Sequence, residues 1–247
     1  MKNIEINIEN VSKRFKDVVA LDDVSMQFYA GNLYGVIGPA GAGKTTLFRI
    51  MMDLVQANSG NVSYHADGRH VLFENIWEHI AYMPQSQSLY ADLSVSEHLD
   101  FFKDLYGIDN QEYIQKKADL LHLARLDKFV NRPAGKLSGG MYKKLGLICA
   151  LLHSPKIMLL DEPTNGVDPI SRREFWNLLH DAKNNGILVL ISTAYMDEAE
   201  RCDGVVLLEK GHVLAAGVPM DLLKKYNSKN FDDLFIKRGG GYEKFGR

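Results

Sequence analysis

The chain has 247 residues, 46% of them hydrophobic and 24% charged, with a formal charge of −2. That length and apolar content support a sizeable core and exclude a disordered chain, while the small net charge excludes a global basic field of the kind that holds nucleic acid or an anionic membrane surface. Apolar runs such as Ile187 to Ile191 fall far short of the roughly 20 residues a spanning helix needs, and Met1 to Glu5 lacks the apolar core of a signal peptide. Cys149 and Cys202 have no metal-ligand spacing and are expected to be inert packing residues in a reducing cytosol.

In chain order, Ile4, Ile6 and Ile8 alternate with polar residues, as do Val24, Met26 and Phe28. The breaks at Lys13 to Asp17 and at Ala30-Gly31-Asn32 then predict an antiparallel β flank. Leu33 to Ile37 is a continuous apolar run that predicts a buried strand, followed by a helix over Thr46 to Val55 that ends near Asn58-Ser59-Gly60. Another buried strand is expected at Ile80 to Met83. From Leu93 to His153 no strand is expected, only helices. Strand character returns at Ile157 to Leu160, Ile187 to Ile191 and Val205 to Leu208, with a helix at Ile170 to Lys183, and this alternation argues for a parallel sheet. From Tyr226 the chain carries scattered lysines, then Gly239-Gly240-Gly241, and reads as a flexible edge or linker.

Gly38-Pro39-Ala40-Gly41-Ala42-Gly43-Lys44-Thr45 fits the phosphate-loop pattern and joins an expected strand to an expected helix. Backbone N–H groups in such a turn point into one concavity, where the helix N-terminus adds positive potential for a triphosphate. Lys44 would reach the β/γ-phosphates and Thr45 would ligate Mg²⁺. Asp161 and Glu162 end an apolar run, where open α/β sheets place ligands. Adjacent strand residues point to opposite sides, so Asp161 is expected to face the metal and Glu162 the attacking water. Ser138 reads as the cap of a helix whose first residues, Gly139 and Gly140, leave its amides bare.

Taken together, the phosphate loop, Leu137-Ser138-Gly139-Gly140-Met141 and Ile157 to Glu162 resemble the nucleotide-binding subunit of ABC transporters, from about Ile4 to about Ile236. The resemblance implies an α/β P-loop NTPase fold, with a RecA-like parallel-sheet core, an antiparallel β flank and a helical subdomain at about 92–155. The domain would span residues 1–236, with 237–247 a tail or linker. It further implies ATP contacts at Phe15, through base stacking, and at Gly38, Pro39, Ala40, Gly41, Ala42, Gly43, Lys44, Thr45 and Thr46. The Mg²⁺ ligands would be Thr45, Gln85 and Asp161, and the catalytic base Glu162.

Ser138, Gly139 and Gly140 would serve the γ-phosphate of a second nucleotide-binding domain in a head-to-tail dimer, with an identical or different partner or within a tandem chain. Asn165 to Pro169 resembles the loop that couples the two sites, although Asp168 could equally cap the next helix. Within the family, Met83-Pro84-Gln85, Ala91 to Val95 and Tyr195 to Glu200 resemble the ATPases of ABC-2 type exporters, and the Ser-Thr-Ala-Tyr variant resembles the amino-terminal half of tandem members. These imply a membrane permease partner, an inner-face location at the cell membrane and no nucleic-acid partner.

One departure stands out: Ala194 occupies the place of the family's switch histidine, and none of the eight histidines lies in that loop. An alanine methyl cannot hydrogen-bond a γ-phosphate. The alternatives are a soluble ABC-type ATPase acting on nucleic acid or ribosomes, and a nucleotide-gated dimerisation module with little turnover.

Overall fold

The computed structural model describes residues 3–86 and 89–239. β1 (Ile4–Phe15) and β2 (Val18–Tyr29) form a long antiparallel hairpin in which Ile4, Ile6 and Ile8 turn inward. The break between them is narrower than Lys13 to Asp17: the strands continue to Phe15 and resume at Val18, with Lys16 turning the chain at a φ of 49°. β3 (Leu33–Ile37) leads into α1 (Lys44–Met51). This helix is shorter than the expected Thr46 to Val55, and Asn58-Ser59-Gly60 is no turn but the entry to β4 (Ser59–Ala66). β4 pairs with β1 and with β5 (Arg69–Val71), giving a four-stranded sheet in the order β2-β1-β4-β5.

A short helix, α2 (Phe73–Ile76), precedes β6 (Ile80–Met83). Three helices then follow without a strand among the described residues: α3 (Val95–Tyr106), α4 (Asn110–Leu123) and α5 (Gly139–Leu151). Ser94 caps α3 in a reciprocal box with Glu97, so both side chains satisfy amides that the first turn leaves unpaired. The chain continues through β7 (Ile157–Asp161), α6 (Pro169–Asn184), β8 (Leu188–Thr193), a 3₁₀ turn at Met196–Arg201, β9 (Gly204–Glu209) and β10 (His212–Gly217). It ends in α7 (Pro219–Lys225) and α8 (Phe231–Arg238).

The second sheet runs β10-β9-β3-β8-β7-β6, parallel throughout except for the β10 edge. Its strands read as unbroken apolar runs because both faces are covered. Met158, Leu160, Val189, Ile191, Val205 and Leu207 face the layer of α3 to α8. Their neighbours Ile157, Leu159, Leu188, Leu190, Val206 and Leu208 face α1 and the β1–β2–β4 sheet.

The expected flexible stretch from Tyr226 is corrected in part. Phe231 and Leu234 are buried, Asn230 caps α8, and Arg238 donates to the Leu214 carbonyl, so Lys237 and Arg238 belong to a packed helix. Residues 240–247 of the expected tail lie outside the described residues. Cys149 and Cys202 are buried and free, and burial pushes both thiols up, which keeps them protonated and unreactive. No helix among the described residues is long and apolar enough to cross a membrane.

One buried carboxylate ties the sheet's upper edge to the helical layer. Glu198, with no exposed surface, accepts hydrogen bonds from Thr164 Oγ1 at 3.1 Å and Trp176 Nε1 at 3.2 Å. Glu198→Ala should destabilise the fold by about 1–3 kcal/mol, the usual cost of leaving a buried donor unsatisfied. Urea unfolding measures this directly. Glu198→Gln, which keeps an acceptor oxygen, should lose less, and an alanine variant as stable as the parent would contradict the assigned role.

Candidate functional site

Between β3 and α1 the chain makes a tight turn whose shape is set by close packing. Gly43, the residue before α1, has φ of 110°, and a Cβ there would lie 2.3 Å from the Ala20 carbonyl oxygen, so glycine is needed on both counts. No side chain caps α1, and no acidic residue stands in its first turn, so its leading amides remain available to an anion. The Gly38 N–H donates to the Thr193 carbonyl at 3.1 Å, which fastens the turn to the end of β8.

Lys44 lies beneath this turn. It is only 4% exposed, and its Nζ donates to the carbonyls of Gly38 at 2.7 Å and Pro39 at 2.9 Å and pairs with Glu162 Oε1 at 3.1 Å. Gln85 Nε2 donates to Glu162 Oε2 at 2.8 Å, and Asn165 Nδ2 reaches the same oxygen at 3.4 Å. The phosphate loop, the loop after β6 and the end of β7 therefore meet at one carboxylate.

Asp161 and Glu162 diverge for a reason other than strand alternation. Asp161 is the last residue of β7 and is fully buried. Glu162 lies just past the strand at φ of 46°, a left-handed conformation that costs an ordinary residue on the order of 1–3 kcal/mol. Two bonds hold it there: its N–H donates to the Ser192 carbonyl at 3.1 Å and to Ser192 Oγ at 2.9 Å. The Ser192 hydroxyl in turn donates to Asp161 Oδ1. Asp161 Oδ2 is buried with no donor, which suits an oxygen that faces a cation. No cluster of three or more His, Cys, Asp or Glu that could hold a metal occurs among the described residues.

A cleft of about 370 Å³ opens in front of these groups. Ala40 to Thr46, Gln85 and Glu162 line one side, and Phe15, Val18 and Ala20 the other. Phe15 is about half exposed, with the Lys13 ammonium 5.0 Å from its ring centroid, so an aromatic face borders the phosphate loop. Pro39 is exposed at the surface of the turn, and Gly38 and Pro39 contribute carbonyls to Lys44 rather than lining.

Ser138, Gly139 and Gly140 do not line this cleft. Ser138 caps α5 by accepting from the Met141 N–H, as its residue type suggests. Gly140 is pressed against α6: a Cβ there would lie 2.4 Å from Ser171 Cβ and Oγ. Asp168 caps α6, accepting from the Ile170 and Ser171 N–H groups. Ala194 is exposed just beyond β8, and neither His153 nor His180 approaches it: they pack against Tyr106 and Trp176.

Sequence reasoning missed Lys143 and, within segments it had singled out, the contacts that Ser192, Asn165 and Tyr195 make. Lys143 Nζ donates to the Gln85 carbonyl at 3.3 Å. Burial lowers its pKa, while the neighbouring Glu162 and Asp161 carboxylates raise it. Ser192 faces Asp161 through the parallel register of β7 and β8, a relation that no local pattern displays.

The chain matches the ABC transporter family over residues 21–165. It is 40% identical over 239 residues to the probable multidrug ABC transporter ATP-binding protein YbhF of Escherichia coli (strain K12), covering 94% of this chain but only 40% of that relative's length. The Nod factor export ATP-binding protein I of Burkholderia orbicola (strain AU 1054) is 34% identical over 220 residues, covering 89% of this chain and 72% of that one. A solved structure of an ATP binding subunit of an ABC transporter has a TM-score of 0.81 at 28% identity, covering 94% of this chain and 98% of that one. Likeness of this extent, over a chain that builds the cleft described above, shows that the chain belongs to the ABC transporter family as one of its ATP-binding, ATPase-type domains.

Proposed function

We propose that this chain hydrolyses Mg-ATP in the cleft between Phe15 and the phosphate loop, and that the reaction drives export through a partner membrane permease of the ABC-2 type. The observation that carries this reading is the Lys44–Glu162 pair, which sets a phosphate-binding cation beside a carboxylate able to take a proton. Phe15 stacks on the base, and Ala40 to Thr46 wrap the phosphates, with Lys44 at the β/γ oxygens. Thr45, Gln85 and Asp161 would hold Mg²⁺, which when bound offsets the negative charge of the phosphates. The unpaired Oδ2 of Asp161 supports that assignment. Glu162 accepts the proton of the water whose oxygen bonds to the γ-phosphorus as the bond to the ADP oxygen breaks.

The bare start of α5 serves a second nucleotide-binding domain. Because Ser138, Gly139 and Gly140 stand outside this chain's own cleft, their amides suit the γ-phosphate of a partner in a head-to-tail pair, whether an identical chain, a different one or a tandem domain. A second cleft, of about 300 Å³, follows the Gln85 loop and is lined by Met83, Pro84, Leu89, Phe102 and Tyr106. It is our candidate for the permease contact. That contact would hold the chain at the inner face of the cell membrane. The names of two relatives, a probable multidrug transporter ATP-binding protein and a Nod factor export ATP-binding protein, support export as the direction.

Lys44→Ala should abolish ATP binding at sub-millimolar concentration in a fluorescent-nucleotide titration, and unchanged affinity would remove the core of this reading. Glu162→Gln should trap the closed pair of domains with saturating ATP. Light scattering that finds only monomer, even beside the natural partner domain, would contradict the head-to-tail pair. Ala194 removes an electrostatic contact of a kind worth about 2.7–4 kcal/mol, or 10²–10³ in rate. The isolated chain should therefore turn over slowly, and Ala194→His should raise phosphate release several-fold or more. A variant that folds, binds ATP and shows no gain would mean that another group already supplies the contact.

A further inference from the structure

The turn after β8 reaches the Glu162 carboxylate by a route that bypasses Ala194. Tyr195 Oη donates to Asn165 Oδ1 at 3.4 Å, and Asn165 Nδ2 donates to Glu162 Oε2 at 3.4 Å. A primary amide has one accepting and one donating end, so a phenol and a carboxylate on its two sides fix its orientation. Flipped, its oxygen would face the carboxylate. Tyr195 is itself held from two sides: its N–H donates to Thr193 Oγ1 at 3.0 Å, and the Arg172 guanidinium lies 4.3 Å from its ring centroid. Arg172 in turn stands 3.8 Å from both Asp197 and the buried Glu198. The hydroxyl is thus presented by a braced ring rather than by a free surface side chain.

Among the described residues Glu162 has three side-chain partners, and the proposed function gives two of them other work: Lys44 at the phosphates and Gln85 at Mg²⁺. Asn165 is the partner those assignments leave in place. We infer that Tyr195 is a positioning residue that acts through Asn165 to fix the orientation of Glu162, giving the switch turn a link to the hydrolytic carboxylate that Ala194 cannot make. The inference rests on the assignment of Glu162 as the base.

Tyr195→Phe removes the hydroxyl and keeps the ring that Arg172 packs against. In the ¹⁵N-labelled chain without nucleotide, the Asn165 side-chain amide resonances, identified by their loss in Asn165→Ala, should move in both Tyr195→Phe and Glu162→Gln. Steady-state phosphate release by Tyr195→Phe should show kcat lowered by roughly two- to tenfold, the value of one net hydrogen bond, with KM for ATP unchanged. The double variant Tyr195→Phe/Asn165→Ala should be no slower than Asn165→Ala alone, because both act through one path. Asn165 resonances that ignore the loss of the Tyr195 hydroxyl, or kcat losses that multiply, would overturn the relay. Full turnover in Glu162→Gln would remove the base assignment, and with it any role of Tyr195 in turnover, whatever the resonances show.

Discussion

The ammonium of Lys44 is where the loop, the sheet and the chemistry meet. It is nearly sealed from solvent and held by two carbonyls of its own loop and one carboxylate just past the end of β7. Burying a charge is costly unless it is paired and hydrogen-bonded, and removing one partner of a buried pair costs about 3–5 kcal/mol. The geometry that prepares the chain for a triphosphate is therefore also the geometry that keeps this cation from being an uncompensated buried charge. Under the proposed function, an entering phosphate would offer Lys44 the same chemistry as Glu162, oxygens carrying negative charge, and so would exchange one partner for another rather than fill an apolar hole.

That exchange depends on placing Glu162 accurately, and the sheet does so indirectly. β7 and β8 run parallel with Asp161 opposite Ser192. One serine then bonds the Asp161 carboxylate, holds the Glu162 N–H through its hydroxyl and carbonyl, and so stabilises the left-handed backbone that swings Glu162 toward the phosphate loop. Asp161 remains inside with one oxygen free. Two neighbouring acids reach different environments because the chain turns between them, and a single extended strand would not have aimed Glu162 at Lys44. On the far side, Gln85 and Asn165 bond this carboxylate from the loops after β6 and before α6, and Lys143 of α5 bonds the Gln85 carbonyl.

How much of this was legible in the sequence follows from what each pattern encodes. The parallel strands β3, β6, β7, β8 and β9 announce themselves because a strand covered on both faces must be apolar without interruption. β4, β5 and β10 were missed: Ser59–Ala66, inside the first sheet, and Arg69–Val71, at its edge, are mostly polar segments whose pairing is decided by β1 and by each other. His212–Gly217 is likewise an edge, fixed by β9. α8 was misread as a loose edge because its two buried residues, Phe231 and Leu234, are too few to outweigh the surrounding charge. In the site, the phosphate loop, Asp161 and Glu162 were readable from residue types in their local pattern, and Gln85 only through the family resemblance. Asn165, Ser192 and Tyr195 lay in segments the sequence singled out, but their contacts did not show there, since they arise from sheet register and from one left-handed residue.

The measurement that bears most directly on the role of Lys44 is a crystal structure of the chain with Mg²⁺ and a non-hydrolysable ATP analogue. If Lys44 is a phosphate-binding cation held in reserve by Glu162, its ammonium will lie against the β/γ-phosphate oxygens with the Glu162 pair broken and the adenine beside Phe15. An analogue seated outside the cleft, or phosphates lying beyond the reach of a Lys44 still bonded to Glu162, would contradict that role.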